Sequence, residues 1–274
     1  MKKYIFALLV AALSASCSKV IEVEYESIDP IYIAVASLTS DDGGSLLLTQ
    51  SSDMDEAAQS NPITSATAWI TSSLGESFAL SPNDEGVYQT EGEIELTEGA
   101  DYTLSIEVDG QSFTATSHLY EAPIIGEVSF SQQEFMDTML LVFCSFNIMD
   151  REGEQNYYRY RFRYFANDNE ESGEPSWSLT KESVDGDPIP IMTHLYTMDR
   201  DLEDGDQITI EVQAIDKATY QFLYTLSTSS SSSTNPTSAF EQEGCLGYFS
   251  ASSLSSEVVE FYWQCGQKWL VKPL

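Results

Sequence analysis

The stretch Gly99-Ala100-Asp101-Tyr102-Thr103-Leu104-Ser105-Ile106-Glu107-Val108-Asp109-Gly110-Gln111-Ser112-Phe113-Thr114-Ala115-Thr116 decides the fold class of this chain. Successive side chains of a strand point to opposite faces, so Tyr102, Leu104, Ile106 and Val108 share one face. Asp109-Gly110 is a two-residue hairpin signal of the type I′ kind, and Phe113 and Ala115 return on the apolar side. The alternation predicts an antiparallel hairpin buried on one face.

Upstream the same grammar repeats. Ile31 to Leu38 is a β-rich run closed by Ser40-Asp41-Asp42-Gly43-Gly44, and Ser45 to Thr49 restarts a strand. Ala66 to Thr71, Ser77 to Leu80, Val87 to Gln89 and Ile94 to Leu96 follow, with Pro82-Asn83-Asp84-Glu85-Gly86 as a turn between two of them. Seven or eight short strands without helical periodicity in about 100 residues predict an N-terminal immunoglobulin-like β-sandwich over 28–120, with Trp69 in its core.

Glu121-Ala122-Pro123 breaks the pattern and sets the boundary of a second, mainly-β domain with irregular insertions, 121–274; the fold class is all-β. Met139 to Phe146 reads as a long buried strand. In Tyr157-Tyr158-Arg159-Tyr160-Arg161-Phe162-Arg163-Tyr164-Phe165, Tyr158, Tyr160, Phe162 and Tyr164 face one way and Arg159, Arg161 and Arg163 the other. With Arg151, these hold four of the 12 Lys and Arg residues. Two readings follow: an anion or carbohydrate surface made by Arg159, Arg161 and Arg163 beside aromatic rings, or an aromatic core face backed by arginines that pair with carboxylates.

Residues 166–187 form an acidic, loop-like stretch. Calcium takes such oxygen ligands, but the sequence beginning Asp199, Asp201, Glu203 has Asp204 where an EF-hand needs Gly, and Ile210 at its twelfth position, so no metal is predicted. Lys217 to Leu226 has Tyr220, Leu223 and Tyr224 at helical spacing, and Ser227 to Thr234 reads as an exposed loop. Gly247 to Ala251 and Val258 to Trp263 read as the last strands, paired antiparallel; Cys245 and Cys265 flank them and form the expected disulfide, worth on the order of 3 kcal/mol by chain entropy. Cys144, in an apolar strand, reads as a small buried hydrophobe.

The N-terminus bears on compartment. Met1-Lys2-Lys3, the apolar run Tyr4 to Leu13 and small Ser14-Ala15-Ser16 directly before Cys17 have the order of a lipoprotein signal peptide, 1–16, too short in its apolar part to span a bilayer. Processing leaves Cys17 as the lipid-attachment residue and 17–27 as a lipidated tether; several acyl chains give stable anchoring where one does not. Against 12 bases stand 44 Asp and Glu, a formal net charge of -32, which repels nucleic-acid phosphates and argues against a nucleic-acid partner.

Catalytic patterns are missing. There is no nucleophile elbow, phosphate loop or dinucleotide fingerprint, and His118 and His194, the two histidines, sit in no motif. The expectation is no enzyme, no cofactor and no catalytic residue.

Taken in order, several segments resemble DUF4249, a Bacteroidota lipoprotein family catalogued as a domain of unknown function. They are Cys17, the strand Ile33 to Leu38, Thr49-Gln50-Ser51, Ala66-Thr67-Ala68-Trp69-Ile70, Gly86-Val87-Tyr88 and Gly99 to Leu104. Further on come Asn156-Tyr157-Tyr158-Arg159, Gly205-Asp206-Gln207-Ile208, and Asn235-Pro236 followed by Leu246-Gly247-Tyr248-Phe249. The resemblance implies an outer-membrane, lipid-anchored protein on the cell surface, serving as an accessory or ligand-capture subunit of a TonB-dependent transporter. The other reading is a structural or adhesion module of the cell envelope that binds protein and no small ligand.

Overall fold

The structure is a computed structural model, and it describes residues 30–51, 61–92, 94–135, 139–165, 176–180, 183–195, 202–229 and 235–262. Its strands in the first region are β1 (Tyr32–Thr39), β2 (Gly43–Gln50), β3 (Asn61–Pro62), β4 (Thr67–Ser72), β5 (Ser77–Pro82), β6 (Val87–Thr90), β7 (Asp101–Val108) and β8 (Gln111–His118). The second region contributes β9 (Ile124–Ile125), β10 (Ser129–Phe135), β11 (Met139–Met149), β12 (Glu152–Phe165), β13 (Ser178–Leu179), β14 (Ser183–Asp185), β15 (Ile189–Leu195) and β16 (Gln207–Ile215). Helix α1 (Lys217–Ser229), β17 (Cys245–Ala251) and β18 (Leu254–Glu260) complete it.

The hairpin that fixed the fold class is β7–β8. Asp109 and Gly110 both take positive φ, 49° and 78°, as a type I′ turn requires. Tyr102, Leu104, Ile106, Val108, Phe113 and Ala115 are all buried. The chain is all-β as expected, with a sandwich-like first core, but that core is enclosed by one sheet. Its path runs β17-β1-β2-β6-β5-β4-β7-β8, with β3 on β2. The path curls until its ends nearly meet: Glu241 N–H donates to Thr114 O at 3.0 Å, and Ala251 N–H donates to Ser117 Oγ at 2.9 Å.

Three expectations change here. Ile94 to Leu96 forms no strand, although Ile94 is buried. Trp69 is only half-buried: the β4 alternation turns Ala68 and Ile70 inward, and the large core volumes come from Tyr88 and Tyr102, both 0% exposed. Their hydroxyls are satisfied, Tyr88 donating to Ile63 O at 2.9 Å and Tyr102 accepting from Thr97 N–H at 2.9 Å, as buried phenols require. Finally, β17 and β18 do not pair with each other. β17 pairs in parallel with β1, Tyr32 opposite Cys245 through Leu38 opposite Ala251, while β18 pairs with β16. Part of 121–274 thus completes the first sheet, and Phe240, Cys245, Phe249 and Ala251 belong to its core.

Gly247 shows why the approach is so close. It lies opposite Ala34 with φ +147°, and a Cβ there would stand 1.7 Å from Ala34 O. Only glycine lets the two backbones meet.

The second unit is a two-sheet sandwich. One sheet runs β10-β11-β15 with β9 on β11, the other β13-β12-β16-β18 with β14 on β12. Val142, Cys144, Phe146 and Ile148 of β11 meet Tyr158, Ile208, Ile210, Val212 and Ala214 of the facing sheet, and the rings of Phe146 and Phe162 lie edge to face at 5.9 Å. The aromatic face of β12 therefore points into this core, as the alternation predicts. On its outer side lies α1, where the sequence expects a helix. The helix runs to Ser229 instead of ending at Leu226, because the hydroxyls of Ser227 and Ser229 donate back to the carbonyls of Tyr224 and Leu226, both at 2.7 Å. Among the described residues no helix is long and apolar enough to cross a membrane.

Candidate functional site

The arginines of β12 owe their surroundings to strand register. β12 and β16 run antiparallel with Arg159 opposite Gln213 and Arg161 opposite Glu211. Arg159 Nε donates to Gln213 Oε1 at 2.6 Å, Arg161 Nε donates to the Glu211 carboxylate, and Arg163 Nη1 reaches Glu211 Oε1 at 3.4 Å. Trp177 lies across the first two, with the guanidinium carbons of Arg159 and Arg161 at 4.6 and 4.5 Å from its ring, a cation–π arrangement. Arg159 is buried, and that burial pulls its pKa below the usual value against a compensating interaction with Tyr248. Arg161 and Arg163 keep 27% and 32% of their side chains exposed, while Glu211 keeps 5%. An anion arriving on this face has to compete with a carboxylate already in place.

A different grouping forms where the two β units adjoin. Asp101 and His118, cross-strand neighbours on β7 and β8, hold each other through Oδ1 and Nδ1 at 2.7 Å. The His118 ring meets the Tyr120 ring edge-on at 4.6 Å, and the Arg151 guanidinium carbon sits 4.4 Å from the Tyr120 centroid. Carboxylate, imidazole, phenol and guanidinium thus form a ladder along one wall of a cleft of about 290 Å³, with Glu98, Glu121, Glu152 and Glu154 also lining it. Burial pushes the Tyr120 hydroxyl pKa up, and the nearby Arg151 charge opposes that shift. A second hollow of about 560 Å³ shares Glu98 and Leu119 with the first and continues past Thr39, Asp41 and Leu254. Clefts between units are where small-molecule sites concentrate.

Buried Asn156 fixes Arg151 in this cleft. Its Oδ1 accepts from Arg151 Nε at 3.0 Å and Nη2 at 2.6 Å, and its Nδ2 donates to the carbonyls of Arg151 at 2.8 Å and Glu154 at 3.1 Å. Among the described residues no group of three or more His, Cys, Asp and Glu is placed to hold a metal ion.

A family profile described as a domain of unknown function, DUF4249, matches residues 19–257. The chain belongs to the DUF4249 family. No curated protein matches it. The match spans both β units of the DUF4249 chain and the segments that carry the resemblance in sequence.

Two features of the DUF4249 chain escape a reading by periodicity. Arg151 is a lone base in a turn, and nothing in the sequence places it against Tyr120. Asp216 is the other. It caps α1, accepting from Thr219 N–H at 2.9 Å, and takes further hydrogen bonds from the hydroxyls of Thr219, at 2.9 Å, and Ser117. Asp at an N-cap with Thr at the third helical position was the available signal. Ser117 passes the connection on to β17 through Ala251 N–H, so one buried carboxylate ties the curled sheet to the helix that follows the sandwich.

Cys144 is buried as expected, and burial pushes its thiol pKa up to about 12. Cys245, at the head of β17, is buried too, with its thiol likewise pushed up to about 12. Cys17 and Cys265, and with Cys265 the expected disulfide, lie outside the described residues, as do 166–175 of the acidic stretch.

Proposed function

We propose that this protein is an outer-membrane lipoprotein of the Bacteroidota kind, anchored through Cys17 at the cell surface, that captures a ligand as the accessory subunit of a TonB-dependent transporter. The observation that carries this reading is the charged cleft at the junction of the two β units, with its Asp101–His118–Tyr120–Arg151 wall. Such a cleft suits binding, and nothing in its side chains pairs a nucleophile with a base. The net charge of -32 supports the same reading, since it draws ligands bearing positive charge toward the surface.

Detergent extraction of outer membranes tests the proposal. A β-barrel transporter is expected to co-purify with the lipoprotein, and Cys17→Ala is expected to release the protein from the membrane fraction. Recovery of the lipoprotein free of any barrel, under conditions that preserve comparable complexes, would overturn the accessory role.

A second reading has its own observation. On the outer face of the β9-β10-β11-β15 sheet, Met192 is 70% and Ile124 66% exposed, with exposed Met149 paired to Ile124. Exposed apolar side chains grouped on one face suit a protein-binding module of the envelope. Met192→Lys breaking capture of an envelope protein, with the junction cleft unaltered, would favour that reading.

A further inference from the structure

Arginine placement sets up the inference. The chain carries 44 acids against 12 bases, so carboxylates are available almost everywhere, and both Arg161 and Arg163 have found one in Glu211. Arg151 has not: among the described residues it makes no ion pair, although Glu152 and Glu154 line the same cleft. Its partners are a neutral amide and an aromatic ring. Asn156, 1% exposed, takes the Nε and Nη2 side of the guanidinium, and Tyr120 covers its face. Arginine recognises carboxylates through parallel N–H groups in a fixed fork. Here the fork is held rigid by one edge while its charge is left without a carboxylate, and the immobilisation cost of binding is met in advance.

The surroundings restrict what such a fork accepts. A simple anion meets Glu98, Glu121, Glu152 and Glu154 around the cleft and a chain of net charge -32. A ligand that also carries an ammonium group turns those glutamates from repulsive to attractive. At about 290 Å³ the cleft is at the small end of ligand sites, and the adjoining hollow of about 560 Å³ leaves room for extension past Glu98.

We infer that the junction cleft binds a zwitterion, an amino acid or short peptide whose carboxylate docks on Arg151 and whose ammonium group faces the surrounding glutamates. This inference rests on the reading of the cleft as a capture site and adds the chemical class of what it captures. Asn156 and Tyr120 act as positioning residues for the guanidinium.

Isothermal titration of the whole processed chain at low salt tests it with three matched probes: trialanine with free termini, N-acetyl-trialanine and trialanine amide. The free peptide is expected to bind at least about tenfold tighter than either blocked form, and Arg151→Gln is expected to reduce it to the level of the amide. Equal binding of the free peptide and the amide removes Arg151 from recognition and overturns the inference. Equal binding of the free and acetylated peptides removes the ammonium and does the same, as does failure of all three to bind. The blocked peptides act on the unaltered chain, so the outcome stands even where the Arg151 variant folds poorly. Failure of all three probes beside continued co-purification with a barrel would sink the ligand class and leave the accessory role standing; loss of the barrel with peptide binding intact would do the reverse.

Discussion

The two β units solve the problem of sheet edges in opposite ways. The curled sheet brings its ends together, and it does so with a strand taken from the far end of the chain: β17 lies more than 200 residues after β1, its parallel neighbour. The sandwich is assembled from neighbours in sequence, β10 with β11 and β11 on to β12, and its two sheets are fastened through side chains such as Phe146, Tyr160 and Phe162. The first unit therefore depends on a long-range closure and the second on local hairpins and volume. Long loops cost little extra once closed, but they make the closure a late event in folding.

The sharpest way to break this contrast is Gly247→Ala. The added Cβ meets Ala34 O, and φ +147° is strained for any L side chain, so β17 has to leave β1. The expected loss exceeds about 4 kcal/mol, in the exceptional range for one substitution. Hydrogen exchange read strand by strand locates it: protection vanishes from β1, β2 and β8 and survives in β11, β12 and β16. Simultaneous loss from both units would show that they fold as one cooperative body and that the contrast is only topological.

Asp216 tests the seam between them. Asp216→Ala removes a helix cap, worth roughly 1 kcal/mol, and strips the buried hydroxyls of Ser117 and Thr219 of an acceptor, for another 1–3 kcal/mol or so. A drop of about 3 kcal/mol in urea unfolding is expected, with Asp216→Asn costing less because its carbonyl still caps the helix. An unchanged midpoint for Asp216→Ala would mean that the two units do not rely on this connection.

The readings from sequence divide along the same line. Period-2 alternation located most strands and the aromatic face of β12, since each of those patterns is local: Tyr102, Leu104, Ile106 and Val108 reveal their common face within seven residues. Pairing between distant strands leaves no such trace. Leu246-Gly247-Tyr248-Phe249 is conspicuous in the sequence, yet nothing in it says that Gly247 lies on Ala34, and the nearer strand β18 was the natural partner to assign. The cleft was hidden for the same reason. Asp101, His118, Tyr120 and Arg151 come from a hairpin, a linker and a turn, and only the junction of the units brings them together. The arginine strand was legible in its facing and not in its partners, because Gln213 and Glu211 are set by register with a strand some 50 residues on.

Alkaline pH separates the two cores more gently. The Cys144 thiol, in the sandwich, is pushed up from 9.0 to about 12 by burial, so the unfolded chain releases its proton first. The folded form holds the proton, so stability falls as pH rises from 9 toward 12, by roughly 2 kcal/mol at about pH 10.5 if this group acts alone. Cys144→Ala is expected to flatten that slope, measured as the difference between the two proteins' unfolding free energies across the range. Cys245 has the same raised value in the curled sheet and gives the same slope as a free thiol, whereas a Cys245 joined to Cys265 has no proton to lose. Cys245→Ala leaving the slope unaltered would therefore be evidence for the disulfide.

The smallest effect belongs to the arginines themselves, and it separates pairing from position. Arg163 meets Glu211 at 3.4 Å with 32% of its side chain exposed, so Arg163→Gln is expected to cost less than about 1 kcal/mol, because exposed pairs contribute little. Arg161→Gln should cost more. It removes the Nε donor of Glu211, whose side chain is 5% exposed, and one of the two guanidinium groups held by Trp177, leaving a buried carboxylate with its weaker partner. Thermal unfolding of the two variants side by side makes the comparison. Equal and negligible losses would show that Glu211 is solvated well enough to need neither arginine, and would return the outer face of β12 to consideration as a surface able to receive an anion.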